Sequence, residues 1–183
     1  MTVSAHLPIG AGDIVVRRLR HEDAEAFALG TEDPAVREYG HLPLSEYTPE
    51  IVRDQIDGVI AEGLADGSLA VLAVADGESD RFLGSLVLFD FRQDRAEVGF
   101  WLAKESRGRG AAAKALDAAA ALAAKAGLDL LEARTSPRNE ASRRVLERAG
   151  FRQLGEAIEE RTPSGAVVPV LRFERAVEAS RSS

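Results

Sequence analysis

Three groups in this sequence have the residue types and the spacing to do chemistry. The first is ESRGRGAAAKAL, residues 105–116, in which Arg107-Gly108-Arg109-Gly110 stands directly before a run of alanines. Glycines relax the backbone, arginines concentrate positive charge, and alanines start a helix whose first amides lack partners and whose dipole is positive at that end. Such an order suits an anion, and small residues at Ala111, Ala112 and Ala113 let the first turn pack closely. The second group is a single carboxylate, Glu97, in the strand-like RAEVGFWLA (95–103) just ahead of that loop. It could take a proton from a substrate through a water, or it could face solvent or pair with Arg95. The third is NEASRRVLERAGF (139–151), where Ser142 follows Asn139 by three residues and could cap or contact a helix backbone.

Taken alone, the glycine loop has competing readings. G-x-x-x-x-G-K-[ST] is absent, so it is not a Walker loop. GRGAAA (108–113) matches the loose dinucleotide form G-x-G-x-x-A, with Asp129 near the distance of a ribose-binding acid, but such a motif usually opens a first βαβ unit and this one comes past mid-chain. A turn with solvated arginines fits as well. Composition removes other classes. There is no cysteine, which excludes disulfides, thiolate metal sites and a cysteine acyl-enzyme. His6, His21 and His41 are scattered, so no metal site is expected. A net charge of −7 argues against nucleic acid as a partner. No apolar run approaches the length of a membrane helix, and MTVSAHLPIG has no secretory character, so a cytoplasmic protein with no membrane partner is expected.

These groups must be positioned by the elements around them. The pattern predicts a strand at 13–20, a short helix at 22–30 stopped by Gly30, and a longer helix at 48–67 capped by Thr48, with Ile51, Ile56, Val59 and Ile60 as its apolar stripe. Residues 39–47 read as a loop. Strands at 69–76 and 81–91 form a hairpin, and another follows at 95–103 with Gly99 at a bulge. The alanine helix spans about 108–126 with Gly127 at its C′ position, then come a strand at 128–136, a helix at 139–149 and a final antiparallel pair. The order β-α-α-β-β-β-α-β-α-β-β is an α/β class, a mixed sheet of about seven strands with helices on both faces. We read one domain over 13–175, a segment at 1–12 before it and a tail at 176–183.

Asn139, Ser142, Val145, Gly150 and Phe151 fit N-x-x-S-x-x-V-x-x-x-x-G-F, and RGRGAA fits R/Q-x-x-G-x-G/A. One helix and one strand apart, the two boxes resemble the cofactor motifs of the GCN5-related N-acetyltransferases (GNAT). RAEVGFWLAKESRGRG and the early VVRRLRHEDAEAF resemble the RimJ/RimL branch, which acetylates N-termini of ribosomal proteins. The resemblance implies a single-domain GNAT fold, mostly antiparallel, whose sheet splays between its fourth and fifth strands. It implies acetyl-CoA as co-substrate, no metal, and an amine acceptor that is a protein N-terminus or a small molecule; a homodimer stays open.

Residue roles follow from the same resemblance. Backbone groups of Phe100 and Leu102 would bond the pantetheine arm, with Trp101 as core or tunnel wall. The amides of Arg107, Gly108, Arg109, Gly110, Ala111 and Ala112 would hold the pyrophosphate, and Asn139 would touch the pantetheine side. Glu97 would be the base and Ser142 the proton donor to the leaving thiolate, since neither tyrosine follows the second box. Glu160 is a further acidic candidate. Tyr39, His41 and Tyr47 could shape an acceptor pocket with the turn at 159–166, or be packing.

Overall fold

In this computed structural model residues 2–40, 42–161 and 167–177 are described. The β-branched and aliphatic runs form nine strands: β1 (Ile9–Ala11), β2 (Ile14–Arg18), β3 (Ala70–Asp76), β4 (Phe82–Phe89), β5 (Arg95–Leu102), β6 (Leu130–Thr135), β7 (Arg152–Gln153), β8 (Ile158–Arg161) and β9 (Val167–Ala176). The main sheet has the order β1-β2-β3-β4-β5-β6-β9-β7, and β8 pairs with the start of β9. Every neighbouring pair is antiparallel except β5 and β6, which the intervening helix makes parallel. Val16, Leu72, Val74, Leu86, Leu88 and Leu131 are fully buried on these strands and form the centre of the core.

The described residues also hold six α-helices: α1 (Ala24–Thr31), α2 (Pro34–Tyr39), α3 (Pro49–Gln55), α4 (Ala61–Asp66), α5 (Ala111–Lys125) and α6 (Glu140–Arg148). The alanines of α5 bury seven small side chains, among them Ala115, Ala119 and Ala123, and α5 packs on β1, β2 and β5. It ends as its sequence requires: Gly127 has φ +85°, and the amides of Gly127 and Leu128 return to the carbonyls of Ala124 and Ala123. Among the described residues no helix is long and apolar enough to cross a membrane.

Several sequence expectations change. Residues 3–11 form a 3-10 turn and strand β1, with Val3 buried, rather than lying ahead of the sheet. The helix expected at 48–67 keeps its Thr48 cap (3.3 Å to the Ile51 amide) but breaks at Gly58 (φ −101°, ψ −109°) into α3 and α4. Val59 of the expected stripe is exposed, and Val52, outside that stripe, is buried in the core. The bulge lies between Val74 and Ala75, not at Gly99, which pairs regularly with Val87. Residues 34–39, between the helix expected at 22–30 and the body of the loop expected at 39–47, are helical, because Pro34 opens α2 behind an Asp33 cap.

Gly30 does not stop α1; it lies inside its last turn. A Cβ there would meet the ring of Trp101 at 2.5 Å, so the missing side chain is what lets α1 lie on β5. Trp101 is held edge-on by Phe27 (5.1 Å) and Phe82 (5.9 Å), and Phe27 also meets Tyr47 (5.8 Å). We predict that Gly30→Val destabilises the protein by about 1–3 kcal/mol through overpacking. The fluorescence of Trp101, the single tryptophan, should report the loss in thermal or urea unfolding.

Candidate active site

The site is built around a fork in the sheet. Beside β5, β6 pairs only through Arg95, Ala96 and Glu97; beyond Glu97 the two strands part. Past that point β5 stays paired with β4, from Glu97 to Leu102, and β6 stays paired with β9. The Ala103 amide donates to the Leu83 carbonyl (2.8 Å), so the odd residues of β5 turn their backbone groups to β4. By alternation the backbone groups of Val98, Phe100 and Leu102 turn to the opened side. Because β5 and β6 are parallel, both cofactor-like boxes start from the same end of this fork.

The first box follows β5. Gly108 (φ +79°) and Gly110 (φ +78°) take left-handed conformations in open space, so the backbone turn and not crowding demands glycine. Gly110 is the N-cap of α5 and has no side-chain capping bond. Lys114 has the first helix amide with a backbone acceptor, Gly110 (3.2 Å), which leaves the amides of Ala111 to Ala113 as donors for a ligand. Arg109 is exposed and has no ion-pair partner among the described residues, whereas Lys114 is engaged with Asp13 at 2.7 Å.

Arg107 behaves differently from the expected anion ligand. Its guanidinium donates to the Leu102 carbonyl (2.9 and 3.1 Å) and to Asp33 (3.0 Å). Asp33 also caps α2, accepting from the amides of Ala35 (2.9 Å) and Val36 (3.2 Å). Burial works against ionisation of Asp33, but Arg107 and these amides outweigh it and hold its carboxyl below the ordinary range. The arginine is therefore a strut from the glycine loop to α2. It also occupies the carbonyl of Leu102 that was expected to face pantetheine.

In the second box Asn139 is the cap of α6: its side-chain oxygen accepts from the Ser142 amide at 3.1 Å. That assigns the capping duty to Asn139, and the Ser142 hydroxyl takes no part in it. Ser142 is half-buried in the first turn of α6.

Glu97 sits at the crotch of the fork, only 7% exposed. Its partner is Arg134 of β6, Nε to Oε1 at 2.8 Å, rather than Arg95, which binds Asp94 (3.0 Å) and Glu132 (3.3 Å). Burial pushes the Glu97 carboxyl above its ordinary 4.5; Arg134 opposes this, and Asp90 and Glu132 reinforce it. The other nitrogen of Arg134 reaches Glu160 at 2.6 Å, and Arg172 holds Glu160 from the far side at 2.7 Å. Burial would also raise Glu160, but the two guanidinium groups prevail and lower it. The structure thus joins Glu160, the further acidic candidate, to Glu97 through Arg134.

Other expected positions separate from this group. Trp101, grouped with the cofactor residues, lies in the aromatic cluster with its backbone toward β4. Tyr47 is buried against Phe27, with its hydroxyl accepting from the Leu44 amide (3.4 Å), so it is packing and not a pocket wall. Tyr39 ends α2, half-buried. His41 and residues 162–166 lie outside the described residues.

Residues 13–152 match the family model of the acetyltransferase (GNAT) domain. The chain belongs to this family, and the class it defines is an N-acetyltransferase. Similar solved structures include Mycobacterium smegmatis RimJ in complex with CoA-disulfide (20% identity, TM-score 0.76, 96% of this chain and 88% of that one). A ribosomal-protein-alanine acetyltransferase from Vibrio fischeri is 19% identical (TM-score 0.77, 96% and 100% covered). A spermidine N-acetyltransferase from Vibrio cholerae, in complex with CoA and spermine, is 16% identical (TM-score 0.75, 91% and 97% covered). At these identities the likeness is one of fold. No curated protein matches the sequence closely enough to count as a relative.

The strut yields a prediction. Asp33→Ala removes a helix cap and the Arg107 pair together and should cost about 1–2 kcal/mol. Limited proteolysis should then cut the 34–47 region faster, whereas Lys114→Ala, which loses only an exposed pair, should leave the cleavage pattern unchanged.

Proposed function

We propose that this protein moves an acetyl group from acetyl-CoA to the α-amine of a protein N-terminus, by direct transfer with both substrates bound. The observation that carries this reading is the fork: unpaired strand backbone lies between a glycine-rich helix start and a buried carboxylate of raised proton affinity. A pantetheine arm can add to the backbone of Val98 and Phe100 as a strand adds to a sheet edge. Its pyrophosphate suits the amides of Gly108 to Ala113 and the positive end of α5, with Arg109 as the free charge. Acetyl-CoA brings the activated acetyl group and a thiol that leaves.

Glu97 then serves the amine. A base must be ionised yet hold a proton well, and a carboxylate raised by burial meets both needs better than Glu160, which two arginines lower. An α-amine, with a pKa of about 8 against about 10.4 for lysine, asks little of such a base. The Ser142 hydroxyl supplies a proton to the departing sulfur. With no cysteine to carry the acyl group, a ternary complex is expected. Both carboxylates at the fork already carry guanidinium partners, which favours an acceptor with one positive charge over a polyamine, whose several ammonium groups call for free carboxylates. Likeness to RimJ and to a ribosomal-protein-alanine acetyltransferase supports the same choice. Such an acceptor implies a cytoplasmic site of action.

Thiol release should be measured with acetyl-CoA and a library of N-terminal peptides, spermine and free amino acids. Turnover of peptides that blocked N-termini abolish is the expected result; saturation by spermine alone overturns the choice of acceptor. Glu97→Gln should lower kcat/KM by about 10²-fold or more and remove its acid limb, in which the rate rises with pH as the carboxyl ionises above 4.5. Gly110→Val, forced to φ +78°, should weaken CoA at least about tenfold by calorimetry, a cost of about 1.4 kcal/mol.

A further inference from the structure

Arg134 was not singled out by any motif, yet it makes both carboxylates of the fork one unit. It lies on β6 two residues past Glu132, the last residue paired with β5, so it projects where the strands have just parted. Nε binds Glu97 at 2.8 Å and Nη1 binds Glu160 at 2.6 Å, so the planar group spans from β5 to β8. Arg172 of β9, directly opposite Arg134 in the ladder, fixes Glu160 in turn. The order Glu97–Arg134–Glu160–Arg172 alternates in charge and crosses four strands.

We propose that Arg134 is a positioning residue for the transfer reaction: bridging Glu97 and Glu160, it holds the Glu97 carboxylate ionised and aimed into the fork. This rests on Glu97 being the base. The charged groups that face Glu97 are Arg134 and Glu132 from β6 and Asp90 from the turn after β4; Glu160 of β8 acts through Arg134, and Arg95 is spent on Asp94 and Glu132. Arg134 is therefore the one cation bonded to Glu97 among the described residues. Without it, burial and two like charges act on Glu97 unopposed. Glu160 does the reverse: it draws part of the guanidinium charge away from Glu97 and adds a nearby negative charge of its own.

The two partners thus give shifts of opposite sign. In pH profiles of kcat/KM for a peptide acceptor, Arg134→Gln should move the acid limb up by about one pH unit or more, tenfold in rate on that limb, with KM for acetyl-CoA within about twofold of wild type. Arg134→Lys, which restores the charge, should return the limb most of the way. Glu160→Gln should move it down. A uniform fall in rate with an unmoved limb, or shifts of the same sign in Arg134→Gln and Glu160→Gln, overturns the proposal. If Arg134→Gln does not fold, the downward shift in Glu160→Gln and the recovery in Arg134→Lys still decide it. A Glu97→Gln enzyme that keeps the wild-type limb refutes the base assignment instead, which separates the two failures.

Discussion

The site depends on one interrupted ladder. β5 and β6 hold each other through three residue pairs and then separate, while past the parting β5 stays bonded to β4 and β6 to β9. Backbone donors and acceptors exposed in this way carry a cost until something pairs with them, and an extended ligand is the natural complement. Everything chemical sits along that opening. The glycine loop and α6 start from the diverging strand ends, and Glu97 stands where divergence begins. A fully zipped pair would close the gap between the two strands.

Around the opening, charge is arranged by pairing more than by excess. The protein is acidic, yet the fork is lined with arginines whose partners are specified. Arg134 serves two carboxylates, Arg172 one, and Arg107 a carboxylate and a carbonyl. Arg109 is left exposed beside the helix start. Two arginines separated by a single glycine therefore stand in different surroundings, one as a strut to α2 and one exposed beside the helix start. The strut also links the glycine loop to the helix that leads into residues 42–47. The aromatic cluster of Phe27, Tyr47, Phe82 and Trp101 supports the same wall from behind.

Much of this was legible in the chain. Glycines with positive φ before an alanine helix and glycine ends at Gly127 and Gly150 are local rules, acting within one turn, and the structure obeys them, whereas the cap of α6 falls to Asn139 and not to Ser142. The strand boundaries from 70 to 102 were readable because alternation and β-branching are local as well. Less readable were Gly30, whose neighbour Trp101 lies across a helix–sheet interface, and Gly58, which breaks a run that periodicity alone carries through. Tyr47 was ambiguous in sequence because an aromatic residue in a loop fits a pocket and a core equally well. Burial against Phe27 resolves it.

The sequence by itself determined the family, the α/β class, the glycine-rich helix start and the carboxylate ahead of it, since the motifs that carry them are each written within a short run of residues; β1, α2 and the division of the 48–67 helix came only from the structure. Only the tertiary structure decided the partners. Arg134 lies 37 residues from Glu97, Glu160 a further 26 away, and Arg107 is 74 from Asp33. Those contacts come from a parallel register, an antiparallel register and the glycine loop meeting the start of α2. Long-range pairing of this kind is chosen by the packing of the whole core, and no spacing within one segment encodes it.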